Sequence, residues 1–316
     1  MATKLEETIA RSGSSIGWTH FTFNPWVGCW KCAPECLRCY VGRQRSLLQR
    51  GIQPYGAVTA QKTWMNPFAW QDAAGPTAPR SGTQAARIFT CSLSDFFLPQ
   101  VDKVLLPGET MAKLARRITV GADTTWRDAA WRIIRATPNL VYLILTKRPE
   151  AILGRLPADW GDGYPNVWLG TSVGCKQTLN KIDALRDVPV HPEAVRFVSS
   201  EPLLEDISRE INLDGIGWLI AGGESGPGPE QLFNPADDWK SELKFPAIGG
   251  PGGYEGGRRT MRIEWAYALM LRAKQAGIPF YFKQVTATKS GVGENALGFP
   301  MHEFPPALNG LIWAAK

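Results

Sequence analysis

Four cysteines, Cys29, Cys32, Cys36 and Cys39, fall within eleven residues of one another. Thiols packed this closely hold a metal or a metal–sulfur cluster when they are not oxidised to disulfides. As a whole the run is C-x2-C-x3-C-x2-C, four ligands for a tetrahedral zinc. Read from Cys32, it is C-x3-C-x2-C. Three thiolates at that spacing close one face of a [4Fe–4S] cluster and leave the fourth iron open to a ligand. The spacing leaves both readings open. Binding either metal requires deprotonated thiols. Arg38, Arg43 and Arg45 follow closely and make this face electropositive, which suits thiolates, phosphates or a carboxylate-bearing cosubstrate.

The elements that position such a site are short apolar runs, each ending in small or polar residues. They are Arg87–Cys91, Val141–Leu145, Val167–Gly170, Val195–Val198, Trp218–Ala221 and Phe280–Phe282, with a further strand expected near Phe21–Val27. Runs this short and apolar read as buried parallel strands. Helical patterns at Thr124–Arg135, Leu179–Arg186 and Arg262–Gln275 fall between them, the last stopped by Gly277. Seven strands alternating with helices predict an α/β fold, a full or partial (β/α) TIM-like barrel spanning residues 1–316 as one domain. The cysteine loop follows the first strand. Active sites of such folds form at the carboxyl ends of the strands. The polar residues gather there: Ser94 and Asp95, Lys147 and Arg148, Ser172, Glu201, Glu224 and Ser225, Lys283. Residues 1–15 read as a flexible N-terminus. Ala73–Ser81 reads as a connector, and Phe245–Gly257 as a glycine-rich loop insertion.

The net charge of +6 permits an anionic partner such as nucleic acid without requiring one. No apolar run is long enough to span a membrane. The first fifteen residues include acidic side chains and lack an apolar core, so no secretory signal is expected and a cytoplasmic location is. Disulfides do not persist there, which favours metal ligation by the cysteines.

The segment Ile16–Tyr40, IGWTHFTFNPWVGCWKCAPECLRCY, resembles the opening of the three-Cys-motif phage protein family, a radical-SAM-like group. SLSDFF at Ser92–Phe97, LTKRPE at Leu145–Glu150, NVWLGTSV at Asn166–Val173, VRFVSSEPLL at Val195–Leu204, GGESGPG at Gly222–Gly228 and PFYFKQ at Pro279–Gln284 extend the resemblance. It implies Cys29, Cys36 and Cys39 as cluster ligands, whereas radical-SAM spacing selects Cys32, Cys36 and Cys39. Cys32 is additional to the family pattern, and Gly174-Cys175 stands where the family carries an acidic residue. The resemblance further implies a [4Fe–4S] cluster with S-adenosylmethionine on its open iron. Reduction by an electron donor then gives a 5′-deoxyadenosyl radical that abstracts hydrogen from a nucleic-acid base or nucleotide. Glu224 or Ser225 would hold the cosubstrate's amino group or ribose.

Each remaining candidate has a plain reading beside the functional one. Lys147 suits a phosphate or carboxylate or sits in a solvated loop. Glu201 acts in catalysis or pairs with Lys147 or Lys283. Asp95 binds ligand or caps a helix. His20 packs or hydrogen-bonds. Trp18, Trp26, Trp30, Trp64 and Trp70 stack bases or fill the core. Two further functions compete: a zinc-stabilised nucleic-acid-binding protein, and a metal-independent hydrolase or lyase using Glu201, Glu224 and Lys283.

Overall fold

Burial on both faces hides the period-2 alternation of these strands in the sequence, and the fold reveals it. The computed structural model describes residues 3–43, 59–60, 62–75, 86–226, 254–255, 258–287, 289–298 and 301–305. The main sheet is formed by β1 (Phe21–Phe23), β4 (Ala86–Thr90), β5 (Leu140–Thr146), β6 (Val167–Ser172), β7 (Arg196–Ser200), β8 (Trp218–Gly222) and β11 (Phe280–Gln284). These seven strands lie in strictly sequential order, every neighbouring pair parallel. β1 is shorter than expected. The chain turns at Asn24 and Pro25, where proline offers no ladder donor. Trp26–Val27 then forms β2, antiparallel to β3 (Thr59–Ala60). A second two-stranded ribbon joins β9 (Tyr254–Glu255) to β10 (Arg258–Arg259).

Successive side chains along each strand point to opposite faces. Ile88, Tyr142, Leu169, Val198, Leu219 and Phe282 belong to one apolar cluster. Their neighbours in sequence, Phe89, Leu143, Trp168, Phe197, Trp218 and Tyr281, belong to another. The helices are α1 (Lys4–Ser12), α2 (Asn66–Ala74), α3 (Gly108–Leu114), α4 (Trp126–Ala136), α5 (Lys181–Arg186) and α6 (Ile263–Gln275). Their buried side chains, such as Ile133, Leu185 and Leu269, join only the first cluster. A sequentially ordered parallel sheet with all its helices on one face is a barrel wall. Here β1 and β11 are edges that do not pair with each other. The fold is therefore a partial α/β barrel with a helix-covered outer face and an aromatic inner face.

α4 forms as the sequence predicts. Thr125 Oγ1 accepts from Asp128 N at 3.2 Å, and Asp128 Oδ2 accepts from Thr125 N at 3.3 Å, a reciprocal capping box. Trp126, Ala129, Ala130, Ile133 and Ile134 then recur at helical spacing on the buried side. The N-terminus differs from expectation. Thr3 and Glu6 make the same kind of box, and α1 forms over Lys4–Ser12 with Leu5 in the core. The expected connector and glycine-rich insertion lie outside the described residues beyond Gly75 and apart from β9. No helix among the described residues is long and apolar enough to cross a membrane.

His20 is a packing residue. Its Nδ1 accepts from Arg87 N at 3.0 Å, and burial, with Arg87 beside it, pushes its pKa down to about 3. Between that value and the unfolded value of about 6.5, the unfolded chain binds the extra proton. Stability from this site therefore rises with pH across the window and is lost as pH falls through it. His20→Asn is expected to remove up to about 1.4 kcal/mol per pH unit of that slope, read from urea midpoints measured over a pH series.

Candidate functional site

At the carboxyl ends of the strands the inner face turns polar. A cavity of about 560 Å³ opens there, lined by Cys29, Cys36 and Cys39, by Lys147 and Ser172, and by Glu201, Glu224, Ser225 and Lys283. Trp18 and Phe89, whose ring centroids are 4.6 Å apart, form its base. The volume lies in the range of small-molecule and cofactor pockets.

The cysteine segment is held against the strand tips at four points. Gly28, at φ 91°, makes a turn that L side chains rarely adopt, and Ser94 Oγ donates to its carbonyl at 2.5 Å. Arg148 Nη2 donates to Trp30 O at 2.5 Å. Arg259 Nη1 donates to Pro34 O at 2.8 Å. Glu35 Oε1 accepts from Gly174 N at 2.8 Å and from Thr178 Oγ1 at 2.6 Å.

The four thiols are not equivalent. Cys36 is buried, and the hydrogen bond from Cys32 outweighs burial and pulls its pKa down to about 6, with the Lys147 ammonium assisting. Cys32 is pushed up, first by that same bond and then by burial; its Sγ also lies 3.6 Å from Lys147 O. Cys29 is pushed up by burial and by the negative charge of Asp95. Burial works against the charge on Lys147, yet Cys36, Cys39 and Glu35 hold its pKa above the usual value. Cys32 is not among the residues lining the cavity. Among the described residues, no three Cys, His, Asp or Glu side chains stand together as a preformed metal cage. The donor chemistry nonetheless fits a sulfur-ligated centre. Three thiols line one cavity, one is biased to thiolate, and Lys147 and Arg148 are at hand to offset the negative charge.

Several expected ligand-binding side chains are engaged by the protein itself. Asp95 is 4% exposed and saturated: Thr146 Oγ1 donates to both its oxygens at 2.8 and 2.9 Å, Lys147 N at 3.1 Å and Phe97 N at 2.9 Å. It caps the turn after Cys91 and ties it to the tip of β5. Glu224 is clamped by Arg259, whose N donates to Oε2 at 2.8 Å and whose Nη2 and Nε donate to Oε1 at 2.6 and 3.1 Å. The clamp occupies Oε1 with two donors and leaves Oε2 with one. Ser94 is occupied with Gly28, and Ser172 Oγ accepts from Lys147 Nζ at 3.1 Å. Glu201 pairs with Lys283, not Lys147, and both line the cavity. Ser225 lines it as well. Trp18, Trp26, Trp64 and Trp70 are core residues, while Trp30 is exposed.

Three participants were not singled out from the sequence: Glu35, Arg259 and the cavity-lining Cys91. Glu35 sits between two cysteines and reads as loop polarity. Cys91 is the one non-glycine residue among those described with positive φ, 60°. It turns the chain off β4 toward Ser94, a conformation that costs on the order of 1 kcal/mol. Gly174, which donates to Glu35, has no room for a side chain. A Cβ there would lie 2.0 Å from Pro202 O and 3.0 Å from Glu35 Cγ. Gly174→Ala is expected to destabilise by about 1–3 kcal/mol, read as a lower thermal midpoint.

A family model matches residues 13–118 and 109–247. That stretch carries all four clustered cysteines and β1 to β8. The chain belongs to the DUF5131 family, described as a protein family of unknown function. The resemblance of this DUF5131 protein to three-Cys-motif phage proteins rests on its motifs alone. No curated protein matches the chain. Among solved structures, it is similar to spore photoproduct lyase complexed with dinucleoside spore photoproduct, at 15% identity and a TM-score of 0.45, covering 85% of this chain and 78% of that one. A mutant of the same enzyme with bound AdoMet and dinucleoside spore photoproduct gives 13% identity and a TM-score of 0.41, over 83% and 74% of the two chains.

Proposed function

We propose that this protein is an iron–sulfur, radical-SAM-like enzyme that modifies a nucleic-acid base or nucleotide. What supports the proposal is that Cys29, Cys36 and Cys39 all line a ligand-sized cavity at the strand tips. Those three thiols would hold a [4Fe–4S] cluster, with Cys32 as a hydrogen-bonding neighbour. A cluster held there would supply, once reduced by an external donor, one-electron chemistry for cleaving a carbon–sulfur bond of S-adenosylmethionine and so for taking a hydrogen atom from substrate. The chain's own residues do the remaining work. Lys147 and Arg148 offset the charge of the thiolates. The aromatic base excludes water from the inner end of the cavity. Lys283, oriented by its ion pair with Glu201, donates to a phosphate or a base carbonyl. The net charge of +6 agrees with an anionic substrate.

Anaerobic reconstitution with iron and sulfide tests the proposal. Support is a brown protein with absorption at about 400 nm and about four irons per chain, which converts S-adenosylmethionine to 5′-deoxyadenosine when reduced. A colourless protein with one zinc per chain would refute it and favour a zinc-stabilised binding protein.

A further inference from the structure

Four carboxylates line the cavity, and three of them are matched within the protein. Glu201 has Lys283, Glu224 has Arg259, and Asp95 has Arg148 at 3.7 Å. Glu35 has no such partner. It is 1% exposed, and its Oε1 is satisfied by Gly174 N and Thr178 Oγ1, but its Oε2 is buried with no hydrogen-bond partner. Leaving a buried acceptor unpaired costs about 1–3 kcal/mol, more when it is charged. A fold that retains one has a use for it, or fills the place with another molecule.

Lys147 is the complementary case. Its Nζ donates to the neutral Ser172 Oγ at 3.1 Å and makes no ion pair among the described residues. Lys147 and Glu35 line the same cavity, the first just past the tip of β5 and the second bonded just past the tip of β6, yet they do not bridge to each other. A buried carboxylate oxygen with no donor and a partly buried ammonium with no ion pair among the described residues line one cavity, and together they suit a molecule that carries both signs on adjacent atoms.

We propose that Glu35 Oε2 and Lys147 Nζ bind a zwitterion, receiving the ammonium and the carboxylate of an α-amino-acid group. This rests on the function proposed above in one respect: S-adenosylmethionine would bring that group as its methionine end. It relocates the amine acceptor from Glu224, which Arg259 occupies, to Glu35.

Isothermal titration with S-adenosylhomocysteine, and with its analogues lacking the amino group or the carboxylate, tests the assignment without any turnover. The wild-type chain is expected to bind the intact compound at least about tenfold more tightly than either analogue. Glu35→Gln keeps an acceptor for Gly174 and Thr178. It is expected to lose about tenfold in affinity and its preference over the deaminated analogue, while keeping its preference over the decarboxylated one. Lys147→Met is expected to show the reverse pattern. Equal binding of all three compounds by the wild-type chain, which needs no variant to fold, would overturn the proposal. So would Glu35→Gln with unchanged affinity and unchanged discrimination. Iron content measured on the same samples separates the two readings. An iron-loaded protein that fails to discriminate refutes only the zwitterion subsite. An iron-free protein that discriminates supports the subsite and refutes the cluster.

Discussion

Cys29→Ala is expected to leave no more than background iron after anaerobic reconstitution, whereas Cys32→Ala retains about four irons per chain. Both cysteines lie in the same short segment, and spacing alone does not choose between them. The cavity favours Cys29, which lines it while Cys32 does not. Cys32 is turned instead toward Lys147 O and Cys36. Cys36→Ala and Cys39→Ala are expected to behave as Cys29→Ala does. The check is iron and sulfide analysis with the absorbance at about 400 nm. Loss of iron from Cys32→Ala with retention in Cys29→Ala would reverse the assignment. Cys32→Ala also removes the hydrogen bond that stabilises the Cys36 thiolate, so its metal is expected to load more slowly even where the final content is unchanged.

The second large effect is expected at Arg259. Its side chain and that of Glu224 are 1% and 3% exposed, and they are joined by side-chain hydrogen bonds of 2.6 and 3.1 Å. A buried ion pair adds little net stability over an apolar pair, but removing one member leaves an uncompensated charge and costs about 3–5 kcal/mol. Arg259→Met is therefore expected to lower stability by about that amount, read from urea denaturation. Glu224→Leu combined with Arg259→Met is expected to recover most of the loss, because no charge remains buried. Arg259 also holds Pro34 O, two residues before Cys36. The single variant is thus expected to load iron poorly at temperatures where it is still folded. An Arg259→Met protein as stable as the wild type would show that the clamp carries no weight.

The strands were legible in the sequence because each is a short apolar run with a polar end, and the polar end marks the carboxyl tip. β5, β6 and β8 appear within two residues of their expected bounds. α4 and α6 were legible from 3.6-residue periodicity. α1 was readable in principle from the Thr3–Glu6 pair, but nine residues of high polarity resemble a solvated tail. The site was legible only as a set of positions. Which tip residues remain available to a ligand depends on partners distant in sequence. Arg259 lies 35 residues from the Glu224 it occupies, and Gly174 lies 139 residues from the Glu35 it orients. Asp95 and Glu224, expected as ligand-binding groups, line the cavity but are also fastened by partners within the protein, while Glu35, a loop residue by its sequence, lines the cavity as well.

The aromatic layer across the inner face gives the site a closed end. Trp18 and Phe89 seal the cavity from behind, with Trp218, Phe197 and Tyr281 packed below them. A small cosubstrate seated against that layer would have to arrive before a bulkier reactant and depart after it. Steady-state kinetics with two varied reactants would then show compulsory ordering, and the bulkier product would have to clear the rim before the chamber could be recharged.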